Sequence, residues 1–323
     1  MSDIAEFARN LHEKEAQKYK RELVPISYPS KSEKIGDIRA VICDVYGTLV
    51  NYWKPGFQNA SSRSQSLLNA FKTVAERFGM TETLVSINEA ELPEKTLSDF
   101  YHGLLALQHE KMAQKGVLYP EVKIEEIWSI ILMLLKRRGY KPEEFIEASE
   151  QDIPRYLAFC YNFYSLGRDL YDGVVDALSR LKENNITLGL LSNAQFYTPI
   201  DLTLLIREQS NGKYDDFNEL FDPDLTFFSY EYGVAKPNQI LFRRLFDALY
   251  EFQILPSQTI LVGNDLLLDI EPAIEAGMKT AFFTGDSAGA FVHDLSGKVI
   301  PDISFQDWNQ FPSMISFYAQ EKS

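Results

Sequence analysis

Apolar positions at Ile4, Phe7 and Leu11, three and four residues apart, predict a helix over residues 1–23. Pro25 and Pro29, set among Ser and Lys residues, read as a connector. Residues 38–43, IRAVIC, form a short and nearly continuous apolar run. That is the pattern of a parallel strand buried on both faces. From about residue 58 to 165 the periodicity is helical, with helices predicted over 64–78, 94–115, 122–138 and 142–165 and no strand. Gly79, Gly116 and Gly139 follow the first three, where a C-terminal cap belongs.

From 172 onward helices and strands alternate. Helix 172–184 precedes strand 186–191, and a helix around 200–209 precedes strand 225–229. Helix 238–251 precedes strand 259–263, and helix 270–276 precedes strand 279–283. Such alternation predicts an α/β fold with a parallel sheet and helices on both faces. The expected organisation is an N-terminal helical extension (1–37), a core in two pieces (38–57 and 166–323) and a helical insertion (58–165). In open α/β sheets ligands bind beyond the carboxyl ends of the strands. An insertion directly after the first strand is therefore placed to act as a lid.

Composition narrows the setting. The chain has 323 residues, 45% apolar and 24% charged, which excludes a disordered, collagen-like or disulfide-stapled protein. No run approaches about 18 consecutive apolar residues, so no membrane span is expected. The net charge of −14 opposes binding to phosphate backbones, which excludes nucleic acid as the expected partner. Residues 1–37 carry equal numbers of acids and bases, so the excess lies in 38–323. The two cysteines, Cys43 and Cys160, sit in apolar surroundings and read as small buried hydrophobes of a reducing compartment. With no secretory signal pattern at the N-terminus, the expected location is the cytoplasm. The four histidines, His12, His102, His109 and His293, have no zinc-ligand spacing.

Candidate chemistry collects at the ends of the predicted strands. Asp44 ends the run ICDVYGTLV, with Thr48 just beyond. A carboxylate at the tip of a buried strand is costly unless something uses it. Strand 186–191 runs into Ser192-Asn193, Lys236 precedes Pro237 and a helix, and strand 259–263 runs into Asn264, Asp265 and Asp269. Each alone reads equally as a turn, a solvated lysine or a helix cap. In this order a parallel sheet gathers them into one crevice.

With these residues in view, the chain resembles the haloacid dehalogenase superfamily. The four motifs match Asp44-Val45-Tyr46-Gly47-Thr48, Ser192-Asn193, Lys236-Pro237 and Gly263-Asn264-Asp265…Asp269, over about residues 38–285. The resemblance implies a Rossmann-like core, an all-helical cap after the first strand and an aspartate nucleophile, Asp44, that forms a covalent aspartyl intermediate. Lys236 would stabilise charge on Asp44, and Asp269 would orient Lys236 or water. Thr48, Ser192 and Asn193 would hold a small, anionic substrate.

Most phosphatases of this superfamily carry an aspartate two residues after the nucleophile, to protonate the leaving alkoxide. Here that position is Tyr46. General acid help is worth about 10²–10⁴-fold, and tyrosine is a poor acid at neutral pH. A halide leaves without a proton. Asp-x-Tyr-Gly-Thr is similar to the 2-haloacid dehalogenase branch, which uses no metal. Asp265, with Asp44 and the Tyr46 carbonyl, is nevertheless a candidate Mg²⁺ set. The halide-binding arginine of the branch has no clear counterpart; Arg63 is nearest and its flanks do not match. Tyr52, Trp53 and Phe57 are candidates to line the pocket.

The expected function is thus a dehalogenase-like hydrolase. The alternatives are a Mg²⁺-dependent phosphatase acting on a small phosphate ester and a non-catalytic binding protein on the same scaffold. The oligomeric state stays open, including a homo-oligomer, because the neutral head helix has the cap, the core or a second subunit to pack against.

Overall fold

The computed structural model describes residues 4–16, 22–54, 57, 59–144 and 146–317. The chain divides into two compact units, one of residues 1–19 and 53–168, the other of residues 20–52 and 169–323. The N-terminal helix therefore belongs to the helical unit and is not an extension standing by itself.

The helical unit comprises α1 (Ile4–Glu15), α2 (Ala60–Arg77), α3 (Thr81–Ile87), α4 (Pro93–Gln114), α5 (Ile124–Lys136) and α6 (Ile153–Ser165). Its helices form because apolar residues recur at helical spacing. In α5 Ile124, Ile127, Trp128, Ile131, Leu132 and Leu135 are all buried. Each such side chain contributes about 1.5–3 kcal/mol when fully buried. Asn59 caps α2 by accepting from the Ser61 and Ser62 N–H groups. Phe71 of α2 stacks on Tyr161 of α6, with ring centroids 4.2 Å apart, and Tyr101 of α4 joins them at 5.3 and 5.0 Å. Helix α1 lays Phe7 against Tyr156 of α6 at 4.6 Å. At its end Glu15 accepts from Arg77 (2.8 Å) and Tyr164 (2.5 Å). Burial raises the Glu15 carboxyl, but those two partners outweigh it and hold the group below its ordinary value. The helix expected over 142–165 begins only at Ile153; a 3-10 turn at Pro142–Glu144 and a loop precede it.

Among the described residues the core unit carries ten short strands. They are β1 (Ile35–Ile38), β2 (Ala40–Cys43), β3 (Val50–Asn51), β4 (Asp169–Leu170), β5 (Thr187–Ser192), β6 (Thr226–Phe228), β7 (Thr259–Gly263), β8 (Lys279–Phe283), β9 (Ile303–Phe305) and β10 (Ile315–Phe317). Six form one sheet in the order β6-β5-β2-β7-β8-β9, with every pair parallel. The helices are α7 (Val174–Glu183), α8 (Thr198–Gln209), α9 (Ser229–Tyr232), α10 (Gln239–Glu251) and α11 (Glu271–Glu275). Strands β2 and β7 are buried at every position, as their unbroken apolar runs predict. The sequence order reverses at β2, between β5 and β7, so the crevice lies beyond the carboxyl ends of these three strands.

Both cysteines are buried and unpaired, and burial pushes the Cys160 thiol up to about 12. Among the described residues no helix is long and apolar enough to cross a membrane.

Candidate active site

Asp44 follows β2 and keeps 6% of its surface exposed. Its N–H donates to the Val262 carbonyl of β7, which continues the ladder and fixes the backbone. Ser192 ends β5, and its hydroxyl donates to Asp44 Oδ1 at 3.0 Å. Lys236 Nζ donates to the same oxygen at 2.7 Å and to Asp269 Oδ1 at 2.5 Å. Thr48 Oγ1 lies 3.2 Å from Asp44 Oδ2 and 2.9 Å from Asn264 Oδ1. Three strand ends and two loops thus meet at one carboxylate.

The electrostatics follow from this packing. Lys236 is 3% exposed and Asp269 1% exposed. Burial works against the Lys236 cation, but Asp269 and Asp44 outweigh it and hold the ammonium above its ordinary value. Burial raises the Asp269 carboxyl, and Lys236 pulls it back. Asp269 Oδ2 also accepts the backbone N–H groups of Asn264 (3.2 Å) and Asp265 (3.1 Å). Two glycines make room. A Cβ on Gly47, whose φ is +88°, would stand 2.3 Å from Asn264 Nδ2. One on Gly263 would stand 2.4 Å from the Asp269 carboxylate.

The haloacid dehalogenase-like hydrolase profile matches residues 38–277, well over half of the chain. The chain belongs to the haloacid dehalogenase-like hydrolase family. As a member of it the protein is an enzyme, a hydrolase. Its fold is similar to that of the 2-haloacid dehalogenase from Pseudomonas syringae pv. Tomato DC3000, at 18% identity and a TM-score of 0.51 over 86% of this chain and 97% of that chain. The defluorinating L-2-haloacid dehalogenase Rha0230 is similar at 18% identity and 0.47, over 90% and 98% of the two chains. The HAD phosphatase from Thermococcus onnurineus is similar at 13% and 0.47, over 86% and 97%. At these identities the likeness is one of fold. No curated protein matches the chain significantly.

Within this haloacid dehalogenase-like core, two side chains sit differently from expectation. Asn193, expected among the substrate-holding groups, engages the Lys236 backbone with its amide. Its Oδ1 accepts from the Lys236 N–H at 2.6 Å and its Nδ2 donates to the Lys236 carbonyl at 3.3 Å. It clamps the loop that presents the lysine. Asp265 engages one carboxylate oxygen locally. Its Oδ1 accepts from the Leu267 and Leu268 N–H groups and lies 2.9 Å from His293 Nε2. The side chain is used to cap the π-helical turn Leu266–Ile270.

That geometry decides the fit of a magnesium ion. Mg²⁺ favours carboxylates and waters in a strict octahedron. With Asp265 Oδ1 held by two N–H groups beside His293, and Asp269 engaged by Lys236 and two N–H groups, the donors left at the strand ends are Asp44, the Tyr46 carbonyl and a neutral amide, Asn264. Among the described residues no three His, Cys, Asp or Glu side chains gather as ligands. The residues present do not fit Mg²⁺ as the sequence pattern proposed.

Several contacts escaped sequence reasoning. Asn264 Nδ2 donates to the Gly289 carbonyl at 2.6 Å, which fixes the amide with its oxygen toward Thr48. Buried Asp286 accepts from the Tyr171 hydroxyl at 3.0 Å. Trp308 Nε1 donates to the Thr48 carbonyl at 3.0 Å. Asp286 follows strand β8 as Asp44 follows β2, so the rule of polar residues after buried strands would have found it. Nothing in the sequence marks Trp308. Tyr46 places its hydroxyl 3.0 Å from Thr198 Oγ1 and its ring against Tyr52 at 6.1 Å.

Proposed function

We infer that this hydrolase acts on a small molecule through Asp44 as nucleophile, and that its leaving group departs without a proton, as a halide does from carbon. The two Asp44 oxygens are not equivalent, and this difference carries the reading. Among the described residues Oδ1 accepts from Ser192 and Lys236, whereas Oδ2 has the longer Thr48 contact. Oδ2 is therefore the freer lone-pair donor and the attacking atom. Attack on carbon forms the Asp44 ester as the carbon–halogen bond breaks and halide leaves. Water then adds to the Asp44 carbonyl carbon, and negative charge builds on Oδ1. The Ser192 hydroxyl and Lys236 ammonium already point there, as an oxyanion site requires. As that intermediate collapses, one proton of the water passes to the departing alkoxide oxygen and the other is lost to solvent, so that the alcohol is released and the carboxylate restored. Asp269 holds Lys236 in place throughout.

Tyr46 and Asn264 both support this reading against the phosphatase alternative. Tyrosine is a weak acid beside an alkoxide leaving group, and an amide replaces the carboxylate a metal would want. The decisive experiment is a panel of short 2-haloacids and phosphate monoesters, assayed with EDTA and with added Mg²⁺. Halide release that is indifferent to EDTA is expected. Phosphate release seen only with Mg²⁺ would overturn the reading. Asp44→Asn should lower turnover by about 10⁴-fold or more and leave the protein folded; near-normal rates in that variant would end the covalent mechanism.

A further inference from the structure

Thr48 has one hydroxyl proton and two oxygens within its reach. Its Oγ1 lies 2.9 Å from Asn264 Oδ1 and 3.2 Å from Asp44 Oδ2. A hydroxyl carries a single hydrogen, so one of the two oxygens receives it and the other does not. Thr48 is fully buried and Asn264 is 3% exposed, so the choice is made inside the protein.

The amide is not free to turn its nitrogen toward Thr48 instead. The Gly289 carbonyl can only accept, and it takes Asn264 Nδ2 at 2.6 Å. The backbone of the residue is pinned as well. Its N–H donates to Asp269 Oδ2 at 3.2 Å, and its carbonyl accepts from the Phe291 N–H at 2.8 Å. Oδ1 is thus fixed toward Thr48, and the Thr48 hydroxyl is its donor among the described residues. Trp308 holds the other partner in place by donating to the Thr48 carbonyl. Were the hydroxyl proton given to Asp44, the amide oxygen would become a buried acceptor without a donor, which is costly. Given to Asn264, the proton follows the shorter contact and leaves Asp44 Oδ2 without a hydrogen bond from Thr48. A hydrogen bond to a charged oxygen stabilises it, and an attacking oxygen would have to give that stabilisation up.

We propose that Asn264 is a positioning residue that draws the Thr48 proton away from Asp44 Oδ2 and keeps that oxygen bare for attack. The proposal rests on the reading of Asp44 as nucleophile, and Asn264 acts through Thr48 without touching the substrate. The test compares Asn264→Ala, Thr48→Val and the double variant on whichever compound of the panel the wild type turns over. Asn264→Ala releases the hydroxyl onto Asp44 and should lower kcat about tenfold or more, with KM moving less than about threefold. Adding Thr48→Val removes that proton and should make the double variant about threefold or more faster than Asn264→Ala. A residue that only held the fold would give a double variant slower than either single one. Thr48→Val alone should not raise kcat; a rise would show that the proton stands on Asp44 and would overturn the proposal. Urea unfolding of the same four proteins needs no substrate. Removing both partners of one hydrogen bond should cost less than the two single losses added together. Additive losses, or no recovery of rate in the double variant, would overturn the proposal. Asp44→Asn separates it from the reading beneath it. If that variant is inactive and the double variant is not rescued, the positioning role alone falls; if Asp44→Asn turns over normally, both fall.

Discussion

The core unit and the helical unit each hold a buried lysine, and the two lysines are treated in opposite ways. Lys236 lies between two carboxylates, Asp44 and Asp269, and is held more firmly protonated than a free lysine. Lys54 has a carbonyl as acceptor and an arginine as electrostatic neighbour, and its proton is held less firmly. The same side chain is thus held between two carboxylates in one unit and has its proton loosened by burial in the other. A buried cation matched by its own chain stabilises the fold around it.

The largest effect should come from breaking the matched pair. Lys236→Ala leaves Asp44 and Asp269 facing each other without a counter-charge. Breaking a buried ion pair on one side costs about 3–5 kcal/mol. Urea unfolding should show that loss, together with loss of turnover. A variant as stable as the wild type would mean that the aspartates take up protons in its absence, and Lys236 would no longer contrast with Lys54.

Glycine gives a second, smaller test. Gly263→Ala drives a methyl to 2.4 Å from the Asp269 carboxylate that anchors Lys236. Overpacking of this kind costs about 1–3 kcal/mol, and here it should also depress turnover. Gly139 of the helical unit has a φ of +88° and open space around its Cβ position. Gly139→Ala should cost about 1–2 kcal/mol from backbone strain alone and leave turnover unchanged. Thermal unfolding and activity, measured together on both variants, separate a glycine needed for close approach from one needed for a helix cap. Equal activity losses would show that the distinction is wrong.

These residues also show what the sequence made legible. Parallel strands deliver their carboxyl ends to one edge, so Asp44, Ser192, Lys236 and Asp269 were readable as one group from order alone. Gly79, Gly116 and Gly139 were readable as caps because a positive φ favours glycine, and all three adopt one. The choice between Asn264 and Asp265 was not readable. It depends on a π-helical turn after β7 that rotates Asp265 onto its own N–H groups and leaves Asn264 facing Thr48. Strands β9 and β10 have three residues each, too few for a periodic signal. The late start of α6 was marked by Pro154, a residue favoured in the first turn of a helix. Lys54 and Arg168 lie 114 positions apart in the numbering, and helix packing has no rule like that of strand ends to bring them together.

The smallest effect belongs to Lys54 and sharpens the contrast most. Lys54→Met removes the hydrogen bond to the Tyr164 carbonyl, but it also removes a buried charge and its repulsion by Arg168. At pH 7 these changes should leave stability within about 1 kcal/mol of the wild type, in either direction. The pH dependence carries the sign. The folded pKa is about 8 and the ordinary value is 10.5. Below about pH 8 the lysine is protonated in both states, and its burial penalty is fully present. Between about 8 and 10.5 the unfolded chain binds more protons than the folded one, so wild-type stability gains from this group as pH rises. The methionine variant lacks that gain. Urea midpoints at pH 7 and pH 10 should therefore move in favour of the wild type at the higher pH. A difference that is flat with pH, or a loss at pH 7 as large as that of Lys236→Ala, would show that burial does not loosen the Lys54 proton and would remove its contrast with Lys236.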